Sequence, residues 1–208
     1  IEETYDKEKI DKDQIKSNLI KYISSECSLS EIPVHKIVIH RDGRIFDSEL
    51  EGIEEAIKIL IKNGTLDYRV SINIVEIHKS SFIPFRLFNY HKRDYKITKI
   101  ENPNIGSHYF PTHKDAYVLS TGKEFKHPGT SNPINVIYVS GEMSLEQITQ
   151  DLYHLTTLAF TKPDDCSRIP LSLKINDLKL RDLASEFEEG ALKYLEEIKE
   201  QLNTYDDE

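Results

Sequence analysis

Two aspartates are the main candidates for functional carboxylates. Asp42 follows a short β-branched run at residues 36–40, so it should leave a buried strand at its carboxyl end, where open α/β sheets place their sites. Asp177 lies 135 residues further on, just ahead of a segment that we predict to be helical. Glu8, which precedes the first amphipathic segment, is a weaker third candidate. These acids form one site only if the fold brings them together.

Both aspartates also have a purely structural interpretation. Asp42-Gly43 is a common turn dipeptide. Asp177 stands where a side chain could cap the helix that follows it. Spacing alone leaves the catalytic and the structural interpretations open.

Other site chemistries lack their sequence patterns. The histidines are scattered without HExxH spacing, and neither GxGxxG nor GxxxxGK[ST] occurs. A GxSxG elbow is also absent, and Cys27 and Cys166 have no adjacent histidine. The sequence therefore gives no support to a metalloprotease, a dinucleotide or P-loop site, or a nucleophilic hydrolase.

The elements that would position Asp42 are a strand, a helix and a second strand. Apolar residues at helical spacing predict helices over residues 10–23 and 48–62, the second ended by Asn63-Gly64. The run at residues 36–40 predicts one strand, and alternation through Val70, Ile72 and Ile74 predicts another. This order predicts a parallel crossover in an α/β fold.

The second half of the chain alternates loops with regular elements. Residues 102–133 are rich in proline and glycine, with a short strand predicted around 116–120. A strand follows at 134–139, and a helix at 144–160 has Ser144 as its N-cap and Gln147 at the capping-box position. We predict an irregular stretch over 164–175, a kink at Pro170, and a last helix from about 178 to 202.

Composition limits the class of protein. The chain has 208 residues, 38% hydrophobic and 30% charged, which is enough to bury a core in one large or two small domains. No apolar run reaches the length of a membrane helix, and the two cysteines lack ligand spacing, which favours a reduced cytosolic setting. Since the chain begins with Ile1 and its single methionine is Met143, we expect it to be a piece of a longer protein.

Charge is distributed unevenly along the chain. Of the net charge of −9, residues 182–208 carry −8. Residues 78–99 instead contain six basic side chains against the single acid Asp94, with five aromatic rings between them. Basic charge attracts phosphates and aromatic rings offer stacking surfaces to bases, although a solvated hairpin with ordinary core aromatics has the same composition.

The order of these segments resembles the PIWI domain of Argonaute proteins, and prokaryotic ones more than eukaryotic ones. The resemblance covers roughly residues 7–186 and rests on short motifs in a specific order. They are IVIHRDGR at 37–44, INIVEIHK at 72–79, PGTSNP at 128–133, LYHL at 152–155 and RIPL at 168–171, which leads to Asn176-Asp177.

The resemblance implies a ribonuclease H-like fold, with a mixed sheet flanked by helices, that cleaves a target strand paired to a short guide. Four acidic or histidine residues and a divalent metal, Mg²⁺ or Mn²⁺, would perform the cleavage. Asp42 matches the third of the four residues, Asp177 the fourth, and Glu8 lies near the mobile glutamate. Guide contacts carry over onto Lys79 and Arg86.

The first catalytic aspartate of the family should precede Glu8, and this sequence does not contain it. We therefore expect residues 1–208 to be the C-terminal portion of one PIWI domain, incomplete at its N-terminal side, with 182–208 as its acidic C-terminal helix and tail. Such a portion would be inactive alone and would need the N-terminal part of the parent Argonaute, a guide of DNA or RNA and a complementary target strand.

Two alternatives remain open at this point. The chain could belong to an inactive guide-binding PIWI module that recruits a partner effector. It could also be an α/β domain whose basic stretch contacts a protein, in which case binding to guide–target duplex would be weak and insensitive to salt. No membrane partner is expected.

Overall fold

A computed structural model describes residues 9–30, 32–79, 85–121, 132–158, 160–162, 165–182 and 185. The helices are α1 (Lys12–Leu29), α2 (Asp47–Lys62), α3 (Leu145–Thr157) and α4, whose described part covers 171–182. The strands are β1 (Lys36–Asp42), β2 (Ser71–His78), β3 (Asn89–Arg93), β4 (Lys96–Glu101), β5 (His108–Tyr109), β6 (Asp115–Val118), β7 (Ile134–Ser140), β8 (Phe160–Lys162) and β9 (Asp165–Cys166).

Five of these strands form a mixed sheet in the order β1-β2-β7-β6-β5. β1 and β2 are parallel, with Ile39 opposite Ile74 and Asp42 opposite Ile77, and the helix α2 connects them. The other pairs in the sheet are antiparallel. The predicted parallel crossover is therefore confirmed, and it brings the carboxyl ends of β1 and β2 to the same edge of the sheet.

Helices cover both faces of the sheet, because successive side chains of a strand point to opposite faces. On one face, apolar residues of α1 and α2 pack with Ile37 and Ile39 of β1. On the other face, Ile148 and Leu152 of α3 and Leu173 of α4 pack with Val75, Ile77 and their neighbours in the sheet. The two cores are thus separated by the sheet itself.

Local sequence signals explain where several elements begin. The side chain of Asp11 accepts hydrogen bonds from two backbone N–H groups at the start of α1. Ser144 caps α3 by accepting from the backbone N–H of Gln147, as predicted. Gly43 adopts a φ of 79° directly after β1, a conformation that favours glycine, and its N–H donates to the carbonyl of Ile77.

The predicted start of the last helix is wrong. The segment at 171–175, predicted to be irregular, is already helical, so Asp177 lies inside α4 rather than before it and does not cap it. Pro170 misled the prediction because proline usually interrupts helices. Here it stands immediately before the helix, where no N–H is needed, and its carbonyl accepts from Leu173 and Lys174.

Two further predictions concern the middle and the end of the chain. The basic stretch includes an exposed hairpin of β3 and β4, whose turn residues Asp94 and Tyr95 both have positive φ. The acidic segment at 182–208 lies outside the described residues, apart from Asp182 and Ser185. Among the described residues, no helix is long and apolar enough to cross a membrane.

Candidate active site

Asp42 is the last residue of β1, at the edge of the sheet where β1 and β2 end together. Its side chain remains 42% exposed. The turn at Gly43 carries the backbone away directly after it, so the carboxylate is left at the end of the strand. The structure therefore places Asp42 where the sequence predicted it, at the carboxyl end of a parallel strand.

Asp177 reaches the same place from α4, and Lys79 joins the two acids. The Nζ atom of Lys79 lies 2.7 Å from Oδ2 of Asp42. The same atom lies 2.9 Å from Oδ1 and 2.8 Å from Oδ2 of Asp177. Residues separated by 135 positions in the sequence thus contact one ammonium group.

The position of Lys79 follows from the parallel pairing. It is the first residue after β2, so it leaves the sheet at the same edge as Asp42. Burial by itself lowers the pKa of Lys79, but the hydrogen bonds to Asp177 and Asp42 outweigh it and raise that pKa above its ordinary value. The ammonium therefore stays charged between the two carboxylates.

Arg168 fixes the backbone beneath this cluster. Its Nη1 donates to the carbonyl of Lys79 at 2.7 Å, and its own carbonyl accepts from Oγ of Ser120 at 2.7 Å. Burial lowers the pKa of the Arg168 guanidinium. Since only Ile169 and Pro170 separate Arg168 from α4, these bonds tie the start of α4 to the ends of β2 and β6.

A mostly apolar cavity of about 390 Å³ lies on the face of β1 that carries Asp42, lined by side chains of β1, α3 and α4. His40 lines it, and its Nδ1 lies 2.8 Å from Oγ of Ser172 in α4. Burial lowers the pKa of His40, while the charge of Asp151 in α3 raises it by less. The His40–Ser172 contact gives a second link between β1 and α4, the elements that carry the two aspartates.

The opposite face of β1 carries a buried ion pair. The guanidinium of Arg41 contacts both carboxylate oxygens of Glu49, at 3.1 and 3.2 Å, and Arg41 also donates to the carbonyl of Asp42. Glu49 is fully buried and accepts from the backbone N–H groups of Ile10 and Phe46 as well. These contacts fix the end of β1 on the face opposite to that of Asp42.

The remaining predicted site residues are not part of the described cluster. Arg86 is exposed, and its Nη1 donates to the carbonyl of Phe85, whose ring stacks on Tyr109 and Tyr117. Glu8 lies outside the described residues. Sequence reasoning missed Arg168 and the pairing of Lys79 with two acids, although the matching ends of β1 and β2 were a usable signal for Lys79.

The two aspartates have the chemistry of a site for a hard divalent cation. Mg²⁺ and Mn²⁺ prefer carboxylate oxygens, and here two carboxylates already converge on one cationic group. Across the part of the chain that the structure describes, no group of three or more acidic, histidine or cysteine side chains is gathered in a metal-binding arrangement. Among these residues, the ligands available to a divalent ion are therefore the two carboxylates of Asp42 and Asp177. Carboxylates suit such an ion, and its remaining ligand positions are left to other groups.

The mixed sheet with helices on both faces is an α/β architecture, and it agrees with the ribonuclease H-like fold that the resemblance implied. The model of the Piwi domain family matches residues 3–176, and the chain belongs to that family. It is 26% identical over 162 residues to the protein argonaute of Aquifex aeolicus, covering 76% of this chain and 20% of that protein.

Solved structures of Argonaute proteins share the fold. One is Clostridium butyricum Argonaute bound to a guide DNA and a 19-mer target DNA, with a TM-score of 0.60, 20% identity, and coverage of 78% of this chain and 19% of that one. Another is Marinitoga piezophila Argonaute in complex with 5′ OH guide RNA and target DNA, with a TM-score of 0.52, 17% identity, and coverage of 78% and 21%. The chain spans about a fifth of the length of these relatives.

Proposed function

We propose that this chain carries the cleavage centre of a guide-dependent endonuclease, with Asp42 and Asp177 as the carboxylates that hold a divalent metal. The observation that carries the proposal is the convergence of both carboxylates on the Nζ atom of Lys79. Membership of the Piwi family and the fold shared with Argonaute proteins support the assignment to nucleic acid chemistry.

Two ions of Mg²⁺ or Mn²⁺ held with the help of this pair would supply the positive charge that activates water and stabilises the leaving oxygen of a phosphodiester. The contribution of the chain is to hold the two acids at one point. Gly43 and the β1–β2 pairing hold Asp42, and the Arg168 and His40–Ser172 contacts hold the start of α4. Both acids are partly exposed, so a nucleic acid strand can reach them.

Glu8 is proposed as a further residue of this centre. Its position in the sequence supports this assignment, since Glu8 lies 34 residues before Asp42, near where the mobile glutamate of the family falls.

The proposed nucleic acid partners are a guide of DNA or RNA and a complementary target strand, bound together with the rest of the Argonaute protein. The printed descriptions of the Clostridium butyricum and Marinitoga piezophila structures name such guides and targets. Arg86 and Lys79 are the proposed contacts to guide phosphates. Of the two, Arg86 is exposed in the basic stretch, so its side chain is already accessible to a phosphate. Lys79 can act in this way only when its ammonium leaves the two carboxylates. A cytoplasmic location is part of the proposal and suits the free thiol of Cys27.

The test is target cleavage by the full-length protein, loaded with guide, in Mn²⁺ or Mg²⁺. We expect Asp42→Ala and Asp177→Ala each to lower the cleavage rate at least about a hundredfold, because each removes charge that the transition state needs. Guide affinity should stay near that of the wild type. Glu51→Ala is the matched control, since Glu51 also contacts a lysine, at 3.0 Å, but on the surface of α2. Undiminished cutting by either aspartate variant would remove that residue from the site.

One observation favours a second candidate, a guide-binding module without cleavage activity that recruits a partner effector. The described residues gather two carboxylates and not three, and the ammonium of Lys79 lies between them. For this candidate, the wild type binds guide and target but leaves the target intact in both metals. The same cleavage assay therefore separates the two functions.

A further inference from the structure

We propose that Lys79 is a built-in competitor of the divalent cation, an ammonium that occupies the acid pair until a metal ion displaces it. This inference rests on the proposed metal site. It assigns to Lys79 a role in setting how tightly that site binds its ion, in addition to any contact with a guide strand.

The contacts show why the ammonium of Lys79 and a divalent ion would occupy the same position between the two carboxylates. The ammonium lies within 2.9 Å of three carboxylate oxygens, one from Asp42 and two from Asp177. A divalent ion that ligates both aspartates must lie about 2.1 Å from oxygens of each, which is inside the space that the ammonium fills. The two cations therefore exclude one another at this point.

Electrostatic repulsion, like steric exclusion, opposes simultaneous binding of the ammonium and a divalent ion. The two carboxylates and the ammonium together carry one negative charge, whereas the carboxylates alone carry two. A divalent ion approaching the pair meets repulsion from the ammonium, and this repulsion is lost when the ammonium is removed. Lys79 thus weakens metal binding while it holds the two acids together in the metal-free protein.

The ammonium has a route out of the cluster. The side chains of Asp42 and Asp177 are each 42% exposed and that of Lys79 is 28% exposed, so the cluster opens to solvent. Arg168 fixes the carbonyl of Lys79, but the four-carbon side chain beyond it can rotate. Displacement therefore needs a change of side-chain rotamer and no movement of β2.

The chain contains a matched control for this arrangement. Lys12 also lies between two carboxylates, with its Nζ 3.0 Å from Glu51 and 2.7 Å from Glu55. That cluster joins α1 to α2 and contains neither Asp42 nor Asp177. Substitution of Lys12 removes an equivalent ammonium at a place where the proposal expects no effect on the metal site.

The experiment measures Mn²⁺ binding to the full-length protein, without nucleic acid, by calorimetry and by electron paramagnetic resonance. We expect Lys79→Met to tighten Mn²⁺ binding about tenfold or more, as follows from removing a charge a few ångströms from a divalent ion. Lys12→Met should leave the affinity unchanged. Lys79→Gln is a second neutral variant, and the melting temperature of each variant without metal checks that it is folded.

The outcomes separate this inference from the proposed function. Unchanged or weaker Mn²⁺ binding in folded Lys79→Met and Lys79→Gln would overturn the inference, as would equal tightening by Lys12→Met. Asp42→Asn and Asp177→Asn test the metal site itself. If these two variants lose Mn²⁺ and the Lys79 variants do not gain affinity, only the competitor role fails. If the aspartate variants bind Mn²⁺ like the wild type, the metal site fails as well.

Discussion

The two faces of β1 carry charged clusters of opposite character, although Arg41 and Asp42 are neighbours in the sequence. Arg41 lies on the face covered by α1 and α2, where its side chain is 15% exposed and Glu49 is fully buried. Asp42 lies on the face of α3 and α4, where it and its partner Asp177 remain partly exposed. One face is closed around its ion pair and the other is open.

The difference shows that burial and hydrogen bonding separate a structural ion pair from one that can exchange partners. Glu49 accepts from Arg41 and from the backbone of Ile10 and Phe46, so its carboxylate is fully satisfied inside the protein. Asp42 and Asp177 share one ammonium at the surface. That ammonium is partly exposed to solvent, whereas the side chain of Glu49 has no exposed surface.

The sharpest way to break this comparison is Glu49→Leu. We expect the free energy of unfolding to fall by about 3 kcal/mol or more, because the substitution takes the carboxylate away from the poorly exposed Arg41 and from two backbone N–H groups. Urea denaturation followed by circular dichroism measures the change. Adding Arg41→Met to the variant should restore part of the loss, since the charge that Glu49 paired with is then removed as well.

The control for this prediction is Glu51→Leu on the same helix, where the carboxylate is exposed and contacts Lys12. It should change the free energy of unfolding by no more than about 0.5 kcal/mol. A similar loss from both substitutions would mean that the closed face has no special role in stability.

A second prediction uses pH on the same closed face. Glu76, opposite Arg41 in the sheet, accepts from the backbone N–H of Ile45 at 2.9 Å and lies 3.0 Å from Nε2 of His78. Burial alone raises the pKa of Glu76, but the hydrogen bonds from His78 and Ile45 outweigh it and lower that pKa. A lowered pKa in the folded state means that the ionised carboxylate stabilises the fold.

This stabilisation is present above the unfolded pKa of about 4.5 and is lost as the pH falls through the lower pKa of the folded state. Glu76→Gln should therefore cost about 1 to 2 kcal/mol near pH 7, and the difference from the wild type should shrink as the pH falls below 4.5. Urea denaturation at a series of pH values measures it. At about pH 3, roughly one unit or more below the unfolded pKa, the wild type should have lost much of this advantage. A difference that stays constant down to that pH would contradict the stabilising role of the ionised Glu76 carboxylate.

The long periodic segments of the sequence could be predicted because each one determines its own local structure. The helical spacing of 48–62 and the β-branched run at 36–40 appear as α2 and β1, and their order predicts the parallel pairing with β2. The position of Asp42 at the end of β1 follows directly. The family resemblance, through the RIPL motif and Asn176-Asp177, then pointed to Asp177 as its partner.

The rest could not be predicted because it depends on contacts between distant residues. Pro170 indicates an interrupted helix when it is considered alone, and the packing of Leu173 in the core decides that a helix begins there. Glu49 has the polarity of a surface residue, and Arg41 on another element makes its burial possible. Lys79 lies in a basic stretch that suggests phosphates, whereas the fold places it between two acids.

The smallest expected effect belongs to the open face. Asp177→Asn keeps the shape of the side chain and removes its charge, so Lys79 retains Asp42 as its ionic partner. Because the cluster is partly exposed and screened by water, we expect the free energy of unfolding to change by less than about 1 kcal/mol, in the same urea assay used for Glu49→Leu. A loss as large as that of Glu49→Leu would show that the open cluster holds the fold together, and the contrast between the two faces of β1 would disappear. A small loss, combined with lost cleavage in Asp177→Ala, would mean that this carboxylate is needed for chemistry and not for stability.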